Sequence, residues 1–198
     1  MNAGSIGAVV LAAGMSKRMK RQKLLLPFQD GTIVLAVLTH VLQAGFDQVV
    51  AVVSREIYDH VSEDSPDVEI VLNDNPELGQ SESLRLGMKA LKTRDFCVML
   101  GDLPLVMPSC FMEYRERFYK RSVSRTALAP FRQGRYGHPS FFSYIWRERF
   151  LPTAGDVGGR NAMALHSEEI DKIPGEDASF TDVDTPEDYD ELLHNIGS

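Results

Sequence analysis

Four apolar runs separated by helix-length stretches constrain this chain more than any other feature. They are Gly7–Ala13, Gln48–Val53 (QVVAVV), Val68–Leu72 (VEIVL) and Phe96–Leu100 (FCVML). The first two show no polar alternation, the pattern of strands covered on both faces. Between them Thr32–Ala44 carries apolar residues at Ile33, Val34, Val37, Leu38, Val41 and Leu42 and stops at Gly45, which predicts a helix. Ile57–Ser62, Glu82–Lys92 and Pro108–Tyr119 are predicted as further helices. The order β-α-β-α-β-α-β predicts an α/β class: a Rossmann-like, mostly parallel sheet with helices on both faces. Past residue 120 the pattern loosens. Arg125–Phe131 and Pro139–Ser143 are expected as strands added antiparallel, Asn161–His166 as a helix. The tail is expected as a last helix with Thr185 as N-cap, Pro186 at its first position, and Glu187 and Asp188 in its first turn.

The length, 198 residues, suits one domain with a sizeable core. The formal net charge of −7 disfavours nucleic acid and anionic membranes as general partners. An anionic ligand therefore needs a local basic cluster. Cys97 lies inside an apolar run and is expected as a buried, reduced thiol; Cys110 is the only other cysteine, and no CxxC occurs. With no basic leader and a first apolar run too short to span a bilayer, a cytoplasmic location is expected.

In sheets of this class, ligands bind beyond the carboxyl ends of the strands. The distinctive polar segments fall there. The first, LAAGMSKRMKRQK, follows the first strand with Gly14, Ser16, Lys17, Arg18, Lys20 and Lys23. Glycine lets backbone amides approach phosphate oxygens, and Arg18 and Lys23 would balance charge developing on a leaving pyrophosphate. A plain basic surface turn is the alternative. The spacing fits neither the dinucleotide fingerprint nor the P-loop. The second segment, GDLP, sets Asp102 between Gly101 and Pro104 at a strand end, which suits a hard divalent cation; an ordinary β-turn is the alternative. Magnesium takes one or two protein carboxylates, so a second should lie nearby in space. FTDVDTPEDY offers it: Asp182 and Asp184 alternate, so an extended segment points both to one face. The acids could instead only flank a helix start.

NPELGQSES places Ser81 and Ser83 at a helix N-terminus, able to bond a base or phosphate or simply to cap the helix. His138, in GRYGHPSFF, is a pocket candidate or a structural histidine. GDVGGR, with Asp156 and Arg160, is an anion-friendly turn.

Taken together, LAAGMSKRM with KLLLP, then NPELGQSESL, GDLP, GHP, GDVGGR and DVDTPEDY resemble the nucleotidyltransferases of the molybdenum cofactor type, most closely the cytidylyltransferase branch. The matches keep the family's order from Leu11 to Tyr189. The resemblance implies magnesium-dependent transfer of a nucleotidyl group, with CTP favoured, to the terminal phosphate of molybdopterin, releasing pyrophosphate. A molybdenum hydroxylase would receive the product. The resemblance implies that Leu11, Ala12, Ala13, Gly14 and Ser16 line the nucleotide, with Gly101, Ser81 and Ser83 approaching it. Arg18 and Lys23 would hold the triphosphate and, with Asp102, carry catalysis. Asp102 and the late pair, Asp184 foremost and Asp182 beside it, would bind magnesium. His138 and Asp156 would face the acceptor. The Ala-Ala-Gly loop is similar to cytidylyltransferases, since guanylyl-transferring relatives tend to have a second glycine there. Lys20 departs from the pattern, which has glycine at that place. GTP, a sugar phosphate or another small phosphate acceptor are the alternative substrates, and a non-catalytic accessory protein for molybdenum hydroxylases is the alternative class.

Overall fold

The computed structural model describes residues 4–16, 18–19, 21–62, 64–151 and 159–196. The first half runs β1 (Ile6–Ala12), β2 (Pro27–Phe28), β3 (Gly31–Thr32), α1 (Ile33–Gln43), β4 (Gln48–Val53), α2 (Arg55–Val61), β5 (Glu69–Leu72), α3 (Gln80–Ala90) and β6 (Asp95–Leu100). It continues with α4 (Pro108–Lys120), β7 (Ala127–Arg132), β8 (Arg135–Tyr136), β9 (Ser140–Phe142), α5 (Trp146–Phe150), α6 (Arg160–Leu165), β10 (Ile170–Ile173) and α7 (Pro186–Ile196).

The sheet order is β10-β7-β9-β6-β1-β4-β5, with β8 paired to β7. β1 lies between β4 and β6, parallel to both, with Val10 opposite Ala51 on one side and Met99 on the other. Its unbroken apolar run follows from that place. Ile6, Ala8, Val10 and Ala12 pack on one face, with α1, α2 and α4. Val9 and Leu11 pack on the other, with α3, α5 and α6. From β1 the chain steps outward to β4 and β5, then returns across β1 to β6. The helix of that return, α3, covers the opposite face from α1 and α2, as right-handed crossovers in opposite directions require. The reversal opens a crevice beyond the carboxyl ends of β1 and β6.

The second half departs from expectation. Only β9 is antiparallel to the central strands; it wedges between β6 and β7. β7 thereby runs parallel to β6, not antiparallel, and β10, a strand not anticipated, extends the sheet parallel to β7. Pairing across the sheet, a long-range matter, sets these directions. The α5 helix was also unforeseen. It buries Trp146 and Phe150 against Phe142 and Phe96, and the Trp146 Nε1–H donates to Thr126 Oγ1 at 3.0 Å. Cys97 and Cys110 are buried free thiols. Among the described residues no helix is long and apolar enough to cross a membrane.

Candidate active site

Three segments converge on the crevice, each fixed by its own local chemistry. After β1 the chain turns through Ser16, whose φ of 48° lies in the left-handed region. The Ser16 hydroxyl donates to Gln22 Oε1 at 2.7 Å and accepts the Lys23 N–H at 3.1 Å, while Gln22 Nε2 donates to the Gly14 carbonyl at 3.2 Å. A short 3-10 turn, Lys23–Leu25, follows, anchored by the buried Leu24 and Leu26. The Lys23 stem is held in the same wall, and its side chain is only 10% exposed.

After β6, the Gly101 N–H donates to the Leu11 carbonyl at 2.9 Å, tying the two strand ends together. A Cβ at Gly101 would stand 3.0 Å from the Ala12 Cβ, so glycine permits this approach. Asp102 emerges directly beyond. The third segment docks on it: the Val183 N–H donates to the Asp102 carbonyl at 3.1 Å. Val183 is buried, so its neighbours Asp182 and Asp184 project to the other side. A capping box at α7 fixes Asp184 from behind. Asp188 N–H donates to Thr185 Oγ1 at 3.2 Å, and Asp188 Oδ2 accepts the N–H groups of Thr185 at 2.7 Å and Asp184 at 3.0 Å.

Oxygens of Asp102, Asp182 and Asp184 lie within 4.8 Å of one another. Lys23 Nζ bridges two of them, donating to Asp102 Oδ2 and to Asp184 Oδ1, each at 2.6 Å. Arg18, on the exposed rim, donates to Asp184 Oδ2 at 2.6 Å. Burial works against the Lys23 charge, yet the two carboxylates outweigh it and raise its pKa. Burial likewise opposes the Asp184 charge, but Lys23 and Arg18 hold its pKa down. Among the described residues Asp182 makes no ion pair; burial, then the Asp102 charge, pushes its pKa up against the more distant Lys23.

Asp102 Oδ1 is buried and has no hydrogen-bond partner among the described residues. Three carboxylates with an unspent buried oxygen form a hard, all-oxygen donor set that fits a magnesium-type cation.

A cleft of about 370 Å³ opens beside this cluster. Leu11, Ala13, Gly14, Ser16, Arg18 and Lys23 line it on the β1 side, with Asp102 and Asp184 at one end. Pro76 and Gly79, from the β5–α3 connection, and Gln80 and Ser83, from the first turn of α3, line the facing wall. Ser83 Oγ accepts from the buried Asn73 Nδ2 at 3.0 Å. Other expected residues sit elsewhere. Ala12 faces the core, Gly101 packs on it, and Ser81 is buried off the lining. Met15, Gln80 and Asn73 were not anticipated. Asn73 could have been found as an Asn closing a strand, where its side chain turns the following backbone; its Oδ1 accepts the Asn75 N–H at 2.9 Å.

A second, smaller cavity of about 80 Å³ adjoins the cleft, sharing Leu11, Gln80 and Leu100 with it. His138 and Asp182 line it, with Arg135, Arg160 and the rings of Tyr136, Phe142, Phe150 and Phe180. Burial and then Arg160 push the His138 pKa down to about 4, against the Val98 carbonyl 3.1 Å from its Nδ1 and against Asp182. The ring is neutral at pH 7. Asp156, Lys17 and Lys20 lie outside the described residues.

The chain is similar over nearly its whole length to known proteins. It is 25% identical to the molybdenum cofactor cytidylyltransferase of Escherichia coli K12, over 93% of this chain and 94% of that one. Its fold matches the crystal structure of Rv0371c from Mycobacterium tuberculosis, at 28% identity and TM-score 0.80, covering 98% of this chain and 100% of that one. A manganese complex of Rv0371c matches at 26% identity and TM-score 0.75, covering 96% and 98%. Residues 8–170, from β1 to the start of β10 and with both walls of the cleft, match the MobA-like NTP transferase domain, and the chain belongs to that family of nucleotidyltransferases.

Proposed function

We propose that this nucleotidyltransferase moves CMP from CTP to the terminal phosphate of a molybdopterin-type acceptor, releasing pyrophosphate. The observation that carries the reading is the meeting of Lys23, Arg18 and three carboxylates at the mouth of a cleft built on the β1/β6 reversal. Cations aimed at a polyphosphate beside an oxygen-only metal set are what phosphoryl chemistry needs.

The acceptor phosphate is already anionic, so its oxygen can attack the α-phosphorus without a strong base. The remaining work is positioning and charge balance. The cleft would hold the triphosphate beside the second cavity, with which it shares Leu11, Gln80 and Leu100, and the acceptor ring would lie there among Tyr136, Phe142, Phe150 and Phe180. Arg18 and Lys23 take up charge on the departing pyrophosphate. Asp102, Asp184 and Asp182 would hold magnesium, which when bound supplies Lewis-acid neutralisation of phosphate oxygens. That Rv0371c was solved as a complex with manganese supports a divalent cation as a ligand of this chain. The Ala-Ala-Gly form of the loop, whose Ala13 and Gly14 line the cleft, and the similarity to the cytidylyltransferase of Escherichia coli favour CTP.

Pyrophosphate release tests the reading, with CTP or GTP, magnesium, and molybdenum-loaded molybdopterin or sugar phosphates as acceptors. Release is expected with CTP and molybdopterin. A preference for GTP would overturn the cytidylyl assignment, and turnover only with a sugar phosphate would overturn the acceptor. Tight binding with no release in any arm would mark an accessory protein.

A further inference from the structure

We propose that Lys23 is the resident counter-ion of the carboxylate cluster and gives up Asp102 and Asp184 at least cost when a triphosphate takes its ammonium, so that each of metal and nucleotide eases the loading of the other. The inference rests on reading Asp102, Asp182 and Asp184 as the metal site.

Carboxylates with oxygens within 4.8 Å of one another repel, and a cation beside them offsets that repulsion. Lys23 supplies one. Its Nζ lies 2.6 Å from an oxygen of each of two acids that a divalent ion would use, so ammonium and metal ask for the same oxygens. This is no surface pair of small worth. The Lys23 side chain is 10% exposed and that of Asp102 16%. Breaking such a pair without a substitute leaves a charge stranded in low dielectric. Arg18 also pairs with Asp184, but at 72% exposure water and salt screen it, and it yields more easily.

The substitute for Lys23 is at hand, because the same side chain lines the cleft. A triphosphate there offers the ammonium new anionic oxygens as it leaves the carboxylates. Metal alone must displace a buried, doubly paired lysine. Nucleotide alone finds that lysine engaged. Each ligand removes the obstacle to the other, and the coupling is reciprocal by thermodynamic necessity. The Asp102 Oδ1 that the ammonium leaves without a partner marks where Lys23 is an incomplete stand-in.

Manganese titration followed by the electron paramagnetic resonance of the free ion reads this directly, with the full chain and its Lys23→Met variant. Each is titrated alone and with an α,β-methylene analogue of CTP. The analogue is expected to tighten manganese binding to the wild type about tenfold. Lys23→Met alone should bind manganese about tenfold tighter than wild type alone, with the effect of the analogue largely lost. Unchanged or weaker manganese binding by the folded variant would overturn the exchange while leaving the metal site standing. No manganese binding in any arm would overturn the metal site itself. Wild-type protein provides a readout that needs no variant. Acetylation of Lys23, followed by peptide mass spectrometry, should rise when magnesium is added and fall when the triphosphate analogue follows. Labelling indifferent to both would overturn the exchange.

Discussion

At the scale of single residues, the cluster assigns different tasks to similar side chains. Asp184 is held ionised by Lys23 and Arg18, Asp182 is pushed towards the protonated form, and Asp102 keeps a bare buried oxygen. Asp102→Ala is therefore expected to lower kcat by about 10²-fold or more, the scale of losing one preorganised charge contact. Its far-ultraviolet circular dichroism should stay that of wild type, because Lys23 keeps Asp184. Near-normal turnover in a folded variant would remove Asp102 from the chemistry. His138 gives a pH prediction. Its pKa falls from the ordinary 6.5 to about 4 on folding. Below pH 6.5 the unfolded chain takes up a proton that the folded chain refuses, so stability is lost as pH falls from 6.5 towards 4. Urea melts at pH 7 and pH 5 should show a larger loss for wild type than for His138→Gln; equal losses would assign the acid sensitivity elsewhere. The residue types were legible in the sequence. The sharing of one lysine by two of the acids was not, because the partners of Lys23 lie 79 and 161 positions away.

At the scale of elements, each piece of the site is aimed by a secondary-structure end. The α7 capping box sets Asp184, and its Thr-Pro-Glu-Asp signature could be read directly from local sequence. The α3 helix sets the facing wall and is placed by a contact no local pattern reveals. Gly87 lies against β1, where an added Cβ would come 2.4 Å from Val9 Cγ1. Val9 is fully buried and stiff about χ1, so it cannot yield. Gly87→Ala should gain about 1 kcal/mol of helix propensity and lose more through overpacking, typically about 1–3 kcal/mol. Urea unfolding should show net destabilisation. Binding of a fluorescent CTP analogue should weaken as Gln80 and Ser83 shift with the helix. A stabilised variant would show that α3 has slack against the sheet. Strand boundaries in the first half matched their apolar runs closely, whereas β10 went unseen because Ile170–Ile173 alternates only weakly and gains its identity from pairing with β7.

At the scale of the whole molecule, the reversal at β1 brings the ends of strands far apart in sequence to one crevice. Ligand held across that crevice bridges β1, β6, α3 and the segment before α7, and stabilises the native state by mass action. CTP with magnesium at about a hundred times its Kd should add about 2.7 kcal/mol, raising the Tm by about 5–10 °C for a chain of this size. CTP without metal should do less, and GTP with metal less again; a shift greatest with GTP would speak against the cytidylyl reading. Sequence by itself determined the α/β class, the order of the first strands and helices, the caps and the chemical type of each motif. These follow from local periodicity and from the few residues that can start, stop or turn a chain. Only the tertiary structure decided that Ala12 turns to the core while Ala13 lines the cleft, that β7 runs parallel to β6 with β9 between them, and that Asp102 meets Asp184 through Lys23. Strand register and the choice of ionic partner depend on which distant segments share a burial site, and that is settled by packing over the whole sheet.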